Sequence, residues 1–366
     1  MGWLIVSLLV RWLLGWVLGL RLPALPPLDR KPARSSALAV LIPARNEALT
    51  LPQLLRALGQ QSLQPCEVIV IDDHSSDGTA ELAAAVDWAL PVRVIASTPL
   101  PAGWCGKTWA LHQGVQASQA ETLVFLDADT EPLPGFLASL VAQLQQLGGL
   151  VSVQPYHRTE KAYEQLSLLF NLVGLMAVPL GPGCGVAFGP AMATSRTDYL
   201  RSGGHAAVAG RVVEDWFLAH CYEAAGLPVS AFIGDGLITY RMYPGGLGDL
   251  VLGFDKNFAT AAGEVRWPRM LAVLLWLSGL FWAAWCLPAA LLGWPLVGDR
   301  SLLINGLVYA LSVLQLAVLT RRVGRFSWIN ALFPIPVLFF LVVFVLAILN
   351  LERGRVRWKE RIVRTR

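Results

Sequence analysis

Hydrophobic residues run along this chain in two patterns. At the ends they form long unbroken stretches, and in the middle short runs closed by polar residues. Residues 1–20 are apolar apart from Arg11, and the runs 270–297, 301–320 and 326–351 carry no charge. Each is long enough to cross a hydrocarbon layer of roughly 30 Å. The first run has no basic start and no small-residue cleavage site, so it predicts a retained anchor rather than a signal peptide. Arg11 at mid-span must then snorkel or face other helices.

Residues 36–245 read differently. Leu38–Ile42, Val68–Ile71, Pro91–Ala96 and Leu123–Leu126 predict strands, with a helix from Leu51 to Leu58. Alternating strand and helix signals predict an α/β domain with a mostly parallel sheet. The uncharged run 165–195 is broken by Pro179, Gly181, Pro182 and Gly183. That leaves Gln165–Val178 too short to cross a bilayer, so an interfacial helix and a buried segment are expected, with a core helix as the alternative. The resulting order is an anchor at 1–20, a Pro-rich basic linker at 21–35 and an α/β domain at 36–245. An interfacial stretch at 246–267, a membrane domain of two to three spans at 268–351 and a basic tail at 352–366 follow.

Composition supports the membrane assignment. The chain is 55% hydrophobic, with a mean hydropathy of +0.53, too apolar for an ordinary soluble enzyme. Many of its 14 Trp lie near the ends of apolar runs, where such rings favour the interface. The five cysteines show no CxxC pair, so neither a disulfide framework nor a zinc site is indicated. The net charge of +4 is local, because seven of the 29 basic side chains and only two of the 25 acidic ones lie in 351–366. A basic tail after an apolar run fits anionic lipid headgroups. No recognition motif for nucleic acid appears.

Four polar motifs interrupt the middle region. Asp127-Ala128-Asp129 closes the apolar run 122–126. Ligands of open α/β sheets gather at such strand ends, and two carboxylates there can hold a divalent cation that in turn holds a diphosphate. Asp72-Asp73 closes another strand; Asp77 and Thr79 beyond it are ordinary cap residues, but the pair is not explained by capping. Lys107 stands near a helix start in Gly103-Trp-Cys-Gly-Lys-Thr108, where it is suited to a phosphate. The segment is not a P-loop, because Pro101 stands where that motif needs glycine. Glu214-Asp215 precedes an apolar helix. Such a pair either satisfies the helix dipole or supplies a general base for an attacking hydroxyl. Gly203-Gly204 upstream would let backbone approach a ligand.

The order of these motifs resembles glycosyltransferase family 2 of GT-A fold. The resemblance rests on Ile-Pro-Ala-Arg-Asn-Glu (42–47), Asp-Asp-His-Ser-Ser-Asp-Gly-Thr (72–79), Gly-Lys (106–107), Asp-Ala-Asp (127–129), Gly-Gly (203–204) and Glu-Asp (214–215). With its flanking membrane runs the chain is most similar to the membrane-bound carotenoid-type branch. The resemblance implies a Rossmann-like GT-A domain flanked by transmembrane helices. It implies that Pro43, Ala44 and Glu47 line the nucleotide of a UDP-sugar and that Asp73 hydrogen-bonds the uracil. Lys107 would lie near the donor and Asp127 would contact the ribose or sugar. Asp129 would bind Mg2+ or Mn2+, and Asp215, with Glu214 beside it, would be the base of an inverting transfer. Polymerising members carry Gln-x-x-Arg-Trp; here Arg266-Trp267 follows Gly263, and Lys256-Asn257 occupies a comparable stretch, which argues against processive synthesis.

The donor is cytosolic and the linker is basic, which predicts a cytoplasmic catalytic domain in an integral membrane protein. Pro334 and Pro336 permit a re-entrant third passage that keeps the basic tail inside. A domain held between membrane segments implies a lipid acceptor, a carotenoid or other terpenoid, entering past Gln165–Val178 and Gly245–Trp267. The rival functions are a polyprenyl-phosphate or glycolipid (ceramide- or hopanoid-type) sugar transferase, supported by Arg196, Arg201 and Arg211, and a non-catalytic membrane scaffold.

Overall fold

A computed structural model of the chain describes residues 2–28, 38–85, 88, 90–211, 213–254, 265–293, 302–352, 356–358 and 361–363. Its contacts divide into two compact units. One joins Pro23–Tyr156 to Pro179–Arg241; the other joins Met1–Leu22, His157–Val178 and Met242–Arg366. The stretch 157–178, which the sequence reading includes in 36–245, groups here with the apolar ends.

The first unit is built on strands β1 (Leu38–Ala44), β2 (Glu67–Asp72), β3 (Val92–Ala96), β4 (Thr122–Leu126), β5 (Thr130–Pro132), β6 (Leu150–Gln154), β7 (Tyr156–His157), β8 (Ala191–Ser195), β9 (Val229–Ile233) and β10 (Ile238–Tyr240). Seven form one sheet in the order β3-β2-β1-β4-β8-β6-β9, and β5-β10-β7 form a smaller one. All neighbours in the large sheet run parallel except β8, which is antiparallel to both β4 and β6. The four strands expected from the sequence are β1 to β4.

Strands β1, β2 and β4 are apolar on both faces because both faces are covered. Val40, Ile42, Val68, Val70 and Val124 meet Leu54, Leu55 and Leu58 of the Leu51–Gly59 helix and Leu137 and Leu140 of the Phe136–Leu147 helix. On the other face Leu41, Ile69, Ile71 and Phe125 meet Leu111 of the Gly106–Ala117 helix and Leu218 and Tyr222 of the Glu214–Ala224 helix. Each such aliphatic side chain contributes about 1.5–3 kcal/mol of burial. Part of the expected linker is also fixed. Ala24 bridges Ile233 in parallel, and Leu25 N–H donates to the Ile233 carbonyl at 2.9 Å. The rest of the linker, from residue 29, lies outside the described residues.

The second unit holds the helices Gly2–Gly19, Trp267–Leu291, Leu302–Thr320 and Pro334–Glu352. Among the described residues, Trp267–Leu291 and Leu302–Thr320 are long and apolar enough to cross a membrane. A polar latch ties three of the helices together. Gln315 Nε2 donates to the Trp12 carbonyl at 2.6 Å, and Trp276 Nε1 donates to Gln315 Oε1 at 3.0 Å. Arg11 lies against the Trp267–Leu291 helix at Gly279, one of the two placements expected for it.

Two expectations are corrected here. Pro334 and Pro336 sit at the start of a continuous helix, where proline is tolerated, so they mark no hairpin within it. The segment expected as an interfacial helix is a nine-residue helix, Leu168–Met176, with Phe170, Leu172 and Met176 buried. Its Phe170 ring stacks on Phe254 at 4.2 Å, so it is the core helix of the alternative. Lys256, Asn257, Gly263 and most of the basic tail lie outside the described residues.

Candidate active site

The carboxyl ends of β1, β2 and β4 carry the segments 43–47, Asp72-Asp73 and Asp127-Ala128-Asp129. The loops after β1 and β2 are stapled together by side chains. Asn46 N–H donates to Ser75 Oγ at 3.0 Å, Glu47 N–H to Thr79 Oγ1 at 2.9 Å and Ala48 N–H to Asp77 Oδ2 at 3.0 Å. Asn46 Oδ1 accepts from Ser76 N–H at 2.9 Å, which its left-handed φ of 55° permits. Asp77 and Thr79 thus do more than cap a helix, and hold Pro43, Ala44 and Glu47 beside Asp72 and Asp73. Arg45 donates to the Asp73 carbonyl at 3.0 Å, and His74 Nδ1 lies 3.3 Å from Asp73 Oδ1. Asp72 is 8% exposed, yet its Oδ1 has no hydrogen-bond partner among the described residues. An orphaned buried carboxylate oxygen is an acceptor waiting for a donor.

Beyond β4, Asp127 and Glu214 share one cation. Lys107 Nζ, at the start of the Gly106–Ala117 helix, lies 2.8 Å from Asp127 Oδ1 and 2.9 Å from Glu214 Oε1. Burial alone would weaken the ammonium, but the two carboxylates outweigh it and hold Lys107 protonated. The lysine is thus a bridge between Asp127-Ala128-Asp129 and Glu214-Asp215 rather than a solvated loop residue.

Asp215 occupies the first turn of the Glu214–Ala224 helix. Gly189 N–H donates to its Oδ2 at 2.7 Å and Trp216 N–H to its Oδ1 at 2.9 Å. Burial, with the charge of Glu214 next, pushes its pKa up to about 6. That places a base close to neutrality. Gly189 and Pro190 reach this point because antiparallel β8 begins beside the end of β4, pairing Ala191 with Leu126.

Asp129 is different. No side chain among the described residues donates to it, and burial, with Asp127 and Glu47 nearby, pushes its pKa up to about 7. This is a local excess of negative charge. Among the described residues no three His, Cys, Asp or Glu side chains form a cation cage by themselves. One or two carboxylates completed by a ligand's phosphates is the usual donor set for Mg2+, and the residues present fit it.

Three features escaped the sequence. The first is Gly189, in an uncharged stretch with no motif. The second is the stapling of the loops after β1 and β2. The third is the role of Gly203-Gly204: a Cβ on Gly204 would strike the Tyr199 ring, so this glycine makes room for tyrosine rather than for a ligand. Arg196, offered above for an acceptor phosphate, donates to the Ala120 and Val115 carbonyls, and Arg211 lies over the Phe217 ring.

Comparison with known proteins identifies the family. Residues 39–179 match the model of glycosyl transferase family 2. The chain is 34% identical to a 4,4'-diaponeurosporenoate glycosyltransferase of Staphylococcus aureus (strain USA300) over 339 residues, 89% of this chain and 88% of that protein. It is 34% identical to the enzyme of the same name from Staphylococcus haemolyticus (strain JCSC1435), over 68% of each chain. Among solved structures, a mannosyltransferase of Pyrobaculum calidifontis, in complex with GDP-Man and Mn2+, shares the fold with a TM-score of 0.53 and 20% identity, over 94% of each chain. The chain is a glycosyltransferase of GT-A fold and belongs to glycosyl transferase family 2.

Proposed function

We propose that this enzyme is an inverting glycosyltransferase that moves a sugar from a UDP donor to a membrane lipid, a carotenoid or other terpenoid. The observation that carries the proposal is the ion-paired bridge from Asp127 through Lys107 to Glu214, with Asp215 beside it. Pro43, Ala44 and Glu47 line the nucleotide. Asp73 receives the uracil, with the unpaired Oδ1 of Asp72 as a second acceptor. Asp127 meets the ribose or sugar, and Lys107 fixes its carboxylate. Asp129 holds Mg2+ or Mn2+, which when bound offsets the charge of the departing diphosphate.

Asp215 is the base. Its proton affinity, raised by burial and Glu214, lets it take a proton from an acceptor hydroxyl. The acceptor oxygen bonds to the anomeric carbon as the carbon–oxygen bond to the diphosphate breaks, and the electron pair leaves with UDP. The names of the staphylococcal relatives support a carotenoid acceptor. The GDP-Man and Mn2+ of the archaeal structure support a nucleotide-sugar donor and a divalent cation. The two helices long enough to cross a membrane, with exposed Leu303, Leu307 and Leu314 on one of them, support an integral membrane protein. Its catalytic domain faces the cytosol, where nucleotide sugars are found, and its basic tail meets anionic headgroups. The domain order given by the sequence is retained in this proposal.

The test is mass spectrometry of lipid extracts from cells with and without this protein. Loss of a hexose or deoxyhexose from a terpenoid supports the proposal. Unchanged terpenoid glycosides together with a lost water-soluble glycoside refute it.

A further inference from the structure

Gly189 carries no chemistry of its own, yet three charged atoms converge on it. A Cβ built on its backbone would lie 3.2 Å from Lys107 Nζ, 3.3 Å from Asp215 Oδ2 and 3.4 Å from Glu214 Oε1. The backbone there is not left-handed, so conformational freedom does not explain the glycine. Close approach does. Its N–H also donates to Asp215 Oδ2 at 2.7 Å, so the same residue aims the carboxylate and lets it close against the main chain.

We propose that Gly189 is a positioning residue: its lack of a side chain lets Lys107, Glu214 and Asp215 close against the main chain, and its N–H aims Asp215 Oδ2 for the attacking oxygen of the acceptor. The inference rests on Asp215 being the base. A hydroxyl acceptor gives its proton to Asp215 Oδ2 as its lone pair bonds to the anomeric carbon and the diphosphate leaves with the electrons of the broken bond. A methyl group at 189 can be accommodated only if Lys107, Glu214 or Asp215 gives way by a few tenths of an ångström.

The test uses the full-length protein in detergent–lipid micelles and compares Gly189→Ala, Gly189→Ser and Asp215→Asn with wild type. The readouts are thermal midpoint, UDP affinity with Mn2+, and kcat and KM for transfer to the lipid acceptor found in the extracts. Misplacement of reacting groups by about 1 Å costs about 100-fold in rate, and a shift of a few tenths of that correspondingly less. Gly189→Ala is expected to bind UDP within about 2-fold of wild type and to lose about 10-fold in kcat at saturating acceptor. A purely structural glycine would lower the thermal midpoint and leave kcat per folded molecule unchanged. If the alanine variant does not fold, Gly189→Ser serves as the second variant, because its hydroxyl can bond to the surrounding charges while still crowding them. Transfer within about 3-fold of wild type by the folded variant, with Asp215→Asn inactive, overturns the inference alone. Activity retained in Asp215→Asn overturns the base assignment and the inference with it.

Discussion

The backbone N–H of Asp127 donates to the carbonyl of Pro190 at 2.9 Å. This bond joins the end of β4 to the turn that carries Gly189, and so joins the donor side of the site to Asp215. The bridge through Lys107 runs parallel to it. Two connections between the same elements make the acidic groups one rigid cluster.

Lys107 is the cation of that cluster, and its removal should be severe. Lys107→Met leaves Asp127 and Glu214 facing each other without a counter-charge, a type of loss that costs several kcal/mol when the pair is buried. The variant should show a lower thermal midpoint and a kcat reduced about 100-fold. Lys107→Arg should not restore activity, because a planar guanidinium cannot replace a point charge in this gap. Calorimetry and a sugar-transfer assay measure both effects.

Asp129→Asn should separate binding from folding. No side chain among the described residues depends on Asp129 as an acceptor, and amide substitution relieves its repulsion with Asp127 and Glu47. The thermal midpoint should hold or rise. The Mn2+-dependent part of UDP affinity should fall about 10-fold or more in a calorimetric titration.

The pH profile follows from Asp215. A base must be ionised, so kcat/KM should climb about tenfold per pH unit below about 6 and level off above it. Stability takes the opposite sign. A carboxyl whose folded pKa is raised binds more protons when folded, so its contribution weakens as pH rises from 3.8 towards about 6. Measuring transfer and the thermal midpoint across pH 4–8 tests both signs.

The sequence carried the chemistry better than the geometry. Asp127 and Asp129 stood out because they end an apolar run, and Asp215 because it stands with Glu214 at the start of an apolar helix. Strands β1, β2 and β4 were legible because they are apolar on both faces and closed by polar loops, and edge strand β3 because Val92, Val94 and Ile95 are β-branched. Strand β8 was not, because Ala191-Met-Ala-Thr-Ser195 is small and mildly polar and continues an uncharged stretch. Missing β8 hid Gly189 as well, since its value depends on an antiparallel strand starting beside β4. The stapled loops were illegible for a related reason. Asn46 and Thr79 are far apart in sequence, and each reads locally as an ordinary turn or cap residue.

Thr79 gives a milder prediction. Thr79→Val removes the acceptor for Glu47 N–H and should cost about 1 kcal/mol of stability. It should also weaken UDP binding several-fold by loosening the loop that holds Pro43 to Glu47, with kcat at saturating donor nearly unchanged.

The central claim is that Asp215 removes a proton from a lipid acceptor while UDP-sugar is held by separate groups. Its most direct test is transfer of labelled sugar from UDP-sugar to extracted terpenoid by the reconstituted protein, comparing wild type with Asp215→Asn. The account predicts labelled glycolipid from wild type, a loss of about 1,000-fold in Asp215→Asn, and unchanged UDP affinity in both. Equal transfer by the two proteins, or transfer to water-soluble sugars alone, would contradict it.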